Sequence, residues 1–141
     1  MKSFVFAFCL IALPAAANAA DLATLTVNVE GVSAKGGNLR VGLFDQAAFA
    51  VRGSKPVNGA VVPAKEGTMN VVLEGIVPGD YGVKILDDEN ANGKMDFTAD
   101  LVPAEPYGFS NDAKPNMGPP AWDDAKITVK PGANTITIHL Q

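Results

Sequence analysis

From Thr24 to Glu30 the chain alternates Leu25, Val27 and Val29 with Thr24, Thr26 and Asn28, a period of two that gives an extended chain one apolar and one polar face. The same rhythm returns at Asn38–Phe44 with Leu39, Val41 and Leu43, at Thr68–Leu73 with Met69, Val71 and Leu73, and at Thr135–Leu140 with Ile136, Ile138 and Leu140. Shorter strands are predicted at Ala60–Val62, stopped by Pro63, at Tyr81–Ile85, and at Lys126–Val129. Phe49 and Val51 fall in an irregular segment between these runs. Gly and Pro punctuate the alternation: Gly36-Gly37 marks a turn, Pro78-Gly79-Asp80 a hairpin or corner, and Pro131 to Asn134 a closing hairpin. With no amphipathic helical stretch of useful length, the pattern predicts an all-β fold: a single antiparallel β-sandwich of about seven strands.

Before the first strand the chain reads differently. Met1 and Lys2 precede the apolar run Phe4–Leu13, and the small residues of Ala15–Ala19 follow Pro14, ending in an A-x-A site at Ala17, Asn18 and Ala19. That is the order of a cleavable secretory signal peptide. The apolar core is about half the roughly 20 residues that a membrane-spanning helix needs. The expected organisation is therefore a signal peptide over residues 1–19 and one domain over 20–141, delivered to the periplasm or secreted, with no membrane insertion after cleavage. Cys9, the only cysteine, leaves with the signal. Disulfides cannot then stabilise the domain, so packing, hydrogen bonds or a bound ion must do so.

The formal net charge is −4, and one unit more negative once Lys2 is removed. No stripe of Lys or Arg could neutralise phosphates, which argues against nucleic acid. Catalytic sets are also missing: there is no cysteine nucleophile in the mature chain, no second histidine, no nucleophile elbow and no phosphate loop. His139 falls at a polar-facing position on the last strand and reads as a surface residue. The adjacent pairs Asp87-Asp88 and Asp123-Asp124 would point to opposite sides of a strand and read as loop or surface charges.

The rhythm fails between Asp87 and Asp124, a stretch crowded with Asp, Asn, Gly and Pro. A loop of that length in a small domain implies a function or an internal organiser. Its start fits D-x-N-x-N-G-x-x-D: Asp88, Asn90, Asn92, Gly93 and Asp96. These are the first nine positions of an oxygen-rich calcium loop, in which alternate side chains converge on the ion and Lys94 would offer its backbone carbonyl. The twelfth position is Ala99 rather than Glu, and a strand rather than a helix precedes the loop, so this is not an EF-hand. Asp100 or Glu105 could complete the coordination. Affinity would fall in the weak extracellular range, on the order of 0.1 to 1 mM. The alternative is a metal-free turn at Asn92-Gly93 with Asp88 and Asn90 bonded to nearby amides. Immediately downstream, Glu105, Tyr107 and Phe109 form a candidate binding patch, or the rings fold back to cover an open end of the sandwich, as Trp122 would.

The run Pro78–Asp96, together with PAEPYGFSN at Pro103–Asn111 and PPAWDDAKITV at Pro119–Val129, resembles the secreted bacterial proteins grouped as domain of unknown function 2141. The resemblance implies an exported immunoglobulin/transthyretin-like sandwich, related in plan to carboxypeptidase-regulatory domains, and carries no activity with it. One departure is Leu101, where a glycine is expected before an Ile-Pro pair. Taken together, these readings predict an exported non-enzymatic module, monomeric, that binds a protein or glycan partner or serves in the envelope. The alternatives are a calcium-supported hydrolase using Asp88, Asp96 and Glu105, and a carrier of a small apolar ligand inside the sandwich.

Overall fold

The computed structural model describes residues 21–141; the signal-peptide reading of residues 1–19 lies outside the described residues. Alternation produces strands where it was expected. Strand β1 (Ala23–Val32) buries Leu25, Val27 and Val29 completely, and β2 (Asn38–Phe44) does the same with Leu39 and Leu43. Each such side chain contributes about 1.5–3 kcal/mol on leaving water. They meet Val71 and Leu73 of β4 (Gly67–Ile76), and Val83 and Ile85 of β5 (Gly79–Asp88), in one continuous core. The remaining strands are β3 (Asn58–Pro63), β6 (Tyr107–Phe109), β7 (Ile127–Val129) and β8 (Gly132–His139).

The eight strands form two facing sheets, ordered β4-β1-β8 and β3-β2-β5-β6, with β7 paired to β5 in line with β6. Two expected connections differ from a plain antiparallel plan. The turn at Pro78–Asp80 is a corner, because β4 pairs with β1 while β5 pairs with β2 in the other sheet. The closing segment is no hairpin either: β7 lies on β5, whereas β8 crosses over and runs parallel to β1. The Ile127/Val129 and Ile136/Ile138 faces both point into the core from opposite sheets. Sequence alternation reports a strand's buried face and is silent about its neighbour.

A second cluster sits on the outer side of the β3-β2-β5-β6 sheet. The segment at Phe49 is a short helix, α1 (Gln46–Phe49), whose first turn is capped by Asp45, its Oδ1 accepting the Ala48 amide at 2.8 Å. It delivers Phe49, fully buried, onto Gly82 of β5. A Cβ at position 82 would fall inside the Phe49 ring's envelope, so the glycine is required for contact. Trp122, opening α2 (Trp122–Ala125), meets Phe49 edge-on at 5.6 Å, and Phe109 does so at 6.4 Å. Among the described residues, no helix is long and apolar enough to cross a membrane.

Candidate functional site

The D-x-N-x-N-G loop begins where β5 ends, and its first residues are buried. Asp87 and Asp88 do point to opposite sides of the strand, but both are fully buried rather than surface charges. Asp87 turns inward and its Oδ2 accepts the Ser33 amide at 2.7 Å, while its Oδ1 has no hydrogen-bond partner. Asp88 turns outward. Its Oδ2 accepts from Arg40 Nε at 2.8 Å and from the Gly93 amide at 2.9 Å, and its Oδ1 accepts the Asn92 amide at 3.0 Å. Burial alone would raise the Asp88 carboxyl; the Arg40 hydrogen bond, the two amides and the Arg40 charge outweigh it and hold the group below its ordinary value.

The other motif residues converge a few ångströms away. Asn90 and Asn92 both donate side-chain amides to Asp96, Asn92 at 2.8 and 2.9 Å to the two carboxylate oxygens. Asn90 Oδ1 accepts the Asn92 amide at 3.1 Å, and Asn92 Oδ1 accepts the Lys94 amide at 3.0 Å. The Asp88 and Asn90 turns are thus closed by backbone amides, and Ala91 and Gly93 both take positive φ, 57° and 84°. Lys94 is exposed. Asp100 stands apart, exposed at the tip of a small hairpin closed by the Phe97–Pro103 bridge and by the Thr98 amide on the Val102 carbonyl at 2.8 Å. Leu101 beside it has φ 61°, the conformation a glycine would take, so the expected bend is kept at the expense of backbone strain.

Glu105 is buried, 6% exposed, and lies across the loop's base. Its Oε1 accepts the Glu89 amide at 3.0 Å and its Oε2 the Asp96 amide at 3.1 Å. Of the three carboxylates in the loop, Asp88 and Asp96 are motif positions and Glu89 pairs with Lys35 at 3.0 Å; among the described residues no three His, Cys, Asp or Glu side chains gather as a metal-holding group. The donor set does accommodate a hard cation in one respect. Flipping Asn90 and Asn92 would turn two neutral oxygens toward the Asp96 carboxylate, at the expense of the bonds their Oδ1 atoms now accept from the Asn92 and Lys94 amides.

The block around Tyr107 to Asp112 joins the two sheets, and sequence reasoning missed most of this. Tyr107 exchanges two backbone hydrogen bonds with Gln141, and Gly108 packs directly beneath Ile138 and Leu140. Ser110, fully buried, accepts the Val83 amide at 2.9 Å and donates to the Ala125 carbonyl. Asn111 donates to the Asp124 and Lys126 carbonyls at 3.1 and 2.9 Å. His139 is exposed, as expected, yet it is not idle: Nδ1 lies 2.7 Å from Asp112 and Nε2 3.2 Å from Glu30. Asp112 raises the His139 pKa by hydrogen bond and charge.

Tyr107 and Phe109 are half-buried, stacked edge-on at 5.9 Å, and face outward. They form one wall of a groove of about 540 Å³ on the outer face of the β3-β2-β5-β6 sheet, beside the aromatic cluster. Gly42 and Gly59, paired across β2 and β3, line it, and Gly93 and Met95 of the D-x-N-x-N-G loop border it. A Cβ on Gly42 would strike the Phe44 ring at 2.7 Å, so side-chain-free backbone keeps this face open. Lys84 Nζ stands 4.4 Å from the Phe44 ring centre and 5.1 Å from that of Phe49, and burial lowers its pKa. The signal for the groove was present in β2 and β5, where Gly42 and Leu86 occupy outward positions that a solvated face would fill with polar residues.

The model of a family described as an uncharacterized protein conserved in bacteria, DUF2141, matches residues 27–137. The chain belongs to this family. The DUF2141 match spans every strand from within β1 to within β8, including the D-x-N-x-N-G loop and the Tyr107–Asp112 block. No curated protein and no solved structure matches the chain.

Proposed function

We propose that this DUF2141 chain is an exported, non-enzymatic binding module whose ligand site is the groove on the outer face of the β3-β2-β5-β6 sheet. The observation that carries the reading is the groove itself: about 540 Å³, within the size range of small-molecule sites, mostly apolar, with a few polar groups placed among aromatic walls. Export rests on the signal-peptide pattern of residues 1–19. The non-enzymatic reading is supported by what the carboxylates do, since Asp88 and Glu105 direct their oxygens at Arg40 and backbone amides. Such groups hold a loop in place and are poorly disposed to exchange protons with a substrate. A soluble monomer with a protein or glycan partner was the expectation from sequence; the groove's dimensions favour a small molecule, outside the sandwich rather than between its sheets.

The test uses small aromatic fragments titrated into protein produced from the full-length chain. Val61 is 55% exposed and lines the groove, so Val61→Trp fills it without touching the core. Binding should be lost in Val61→Trp and retained in Thr137→Trp, on the outer side of the other sheet. Fragments that bind both variants equally would place the site elsewhere.

Calcium at the D-x-N-x-N-G loop is a second reading, favoured by the convergence of Asn90, Asn92 and Asp96. We propose a weak site, because Arg40 already neutralises Asp88 and Asp96 would be left as the main charge. The ion would add rigidity to the groove's border and supply no chemistry.

A further inference from the structure

We infer that the groove takes a small amphipathic anion, a compact apolar body bearing one carboxylate, whose charge pairs with Lys84; this rests on the groove being the binding site. Both charged side chains that line the groove, Arg40 and Lys84, are cationic, and no Asp or Glu lines it. Arg40 is committed through Nε to Asp88. Lys84 is different: among the described residues it has no carboxylate within salt-bridge distance and no hydrogen bond from its ammonium. It is held over ring faces instead, with three N–H donors undirected to protein oxygens.

A half-buried ammonium with only aromatic partners lacks the compensation that desolvated charges require. An incoming carboxylate supplies it, and does so in surroundings where a charge-assisted hydrogen bond is stronger than in water. The rest of the lining, including Val61, Leu86, Met95 and Tyr107, offers apolar contact for the body of the ligand. A neutral apolar ligand would leave Lys84 buried and unpaired, and a cation would be repelled by it, so charge discriminates among ligands that fit equally well.

The experiment compares 1-naphthoate, 1-naphthalenemethanol and 1-naphthylmethylammonium by calorimetric or fluorescence titration. Protein from the full-length chain is compared with Lys84→Gln, Lys84→Arg and Val61→Glu. We expect naphthoate to bind about tenfold tighter than the alcohol, the worth of one charge-assisted hydrogen bond. That preference should vanish in Lys84→Gln, persist in Lys84→Arg and shrink in Val61→Glu, a surface change that keeps the fold and sets a competing carboxylate beside Lys84. Equal affinity for the three compounds, abolished by Val61→Trp, would overturn the anion inference while leaving the groove as the site. Binding of naphthoate unaffected by any of these substitutions would overturn both.

Discussion

Removing the Glu105 carboxylate should unfasten the D-x-N-x-N-G loop from the sandwich. Glu105 is 6% exposed and accepts two amides, Glu89 at 3.0 Å and Asp96 at 3.1 Å, from opposite ends of the loop. A hydrogen bond to a charged group contributes about 1.5–3 kcal/mol, and a buried amide left unsatisfied costs a similar amount. Glu105→Gln keeps the shape but presents an N–H₂ to one of the two donors, so the loss should be about 2–3 kcal/mol. Glu105→Ala forfeits both bonds and should lose about 3–5 kcal/mol. Urea unfolding at unchanged m-value measures these losses, and hydrogen exchange at the Glu89 and Asp96 amides locates them. The losses should be the same with and without a chelator, because the partners are amides. A Glu105→Ala variant within about 0.5 kcal/mol of the parent, or a loss that appears only when calcium is present, would refute the reasoning.

Ser110→Ala should destabilise by about 3 kcal/mol, since the Val83 amide and Ala125 carbonyl would both be left buried without a partner; a change below about 1 kcal/mol in urea unfolding would count against it. Leu101→Gly should stabilise by about 0.5–1 kcal/mol, the left-handed strain of φ 61° less the added freedom of the unfolded chain, read from the same midpoint. For His139 the folded pKa is raised, so its contribution is fully present below the ordinary value of 6.5 and disappears as pH rises through the raised one. Asp112 is held below 3.8, burial being outweighed by its bonds to His139, so its share is lost as pH falls through that lowered value. The stability gap between the parent and His139→Ala should therefore be widest between those limits and narrow as pH rises through the raised His139 value. Calcium at about ten times its Kd should raise stability by about 1.4 kcal/mol, roughly 5 °C in Tm, and Asp96→Ala should abolish the rise; no shift at several millimolar would rule the site out.

Much of the sandwich was legible because its core strands obey period two, as with Leu25, Val27 and Val29, or Leu39, Val41 and Leu43. The pairing of those strands was not. Nothing local in Ile127–Val129 or Gly132–His139 says that the first joins β5 and the second lies parallel to β1, since that choice is made by packing between segments far apart in the chain, Val129 against Gly79 and Gly132 against Ala23. The three-residue β6 was hidden for a related reason: it is fixed by Gly108 fitting under Ile138 and by Ser110 reaching Val83, contacts with distant residues. At the loop, motif spacing correctly marked Asp88, Asn90, Asn92 and Asp96 as neighbours. It could not reveal that Arg40 and Glu105, 48 residues before Asp88 and nine residues after Asp96, would be their partners. Asp87 and Asp88 read as surface charges because burial of adjacent acids is rare without such compensation.

The groove as the binding site is tested most directly by backbone amide chemical-shift mapping with 1-naphthoate on isotope-labelled protein from the full-length chain. The perturbed amides should cluster at Gly42, Gly59, Val61, Lys84 and Tyr107, on one face of one sheet. Shifts confined to the outer side of the β4-β1-β8 sheet around Thr26 and Thr137, or no shifts at saturating naphthoate, would contradict it.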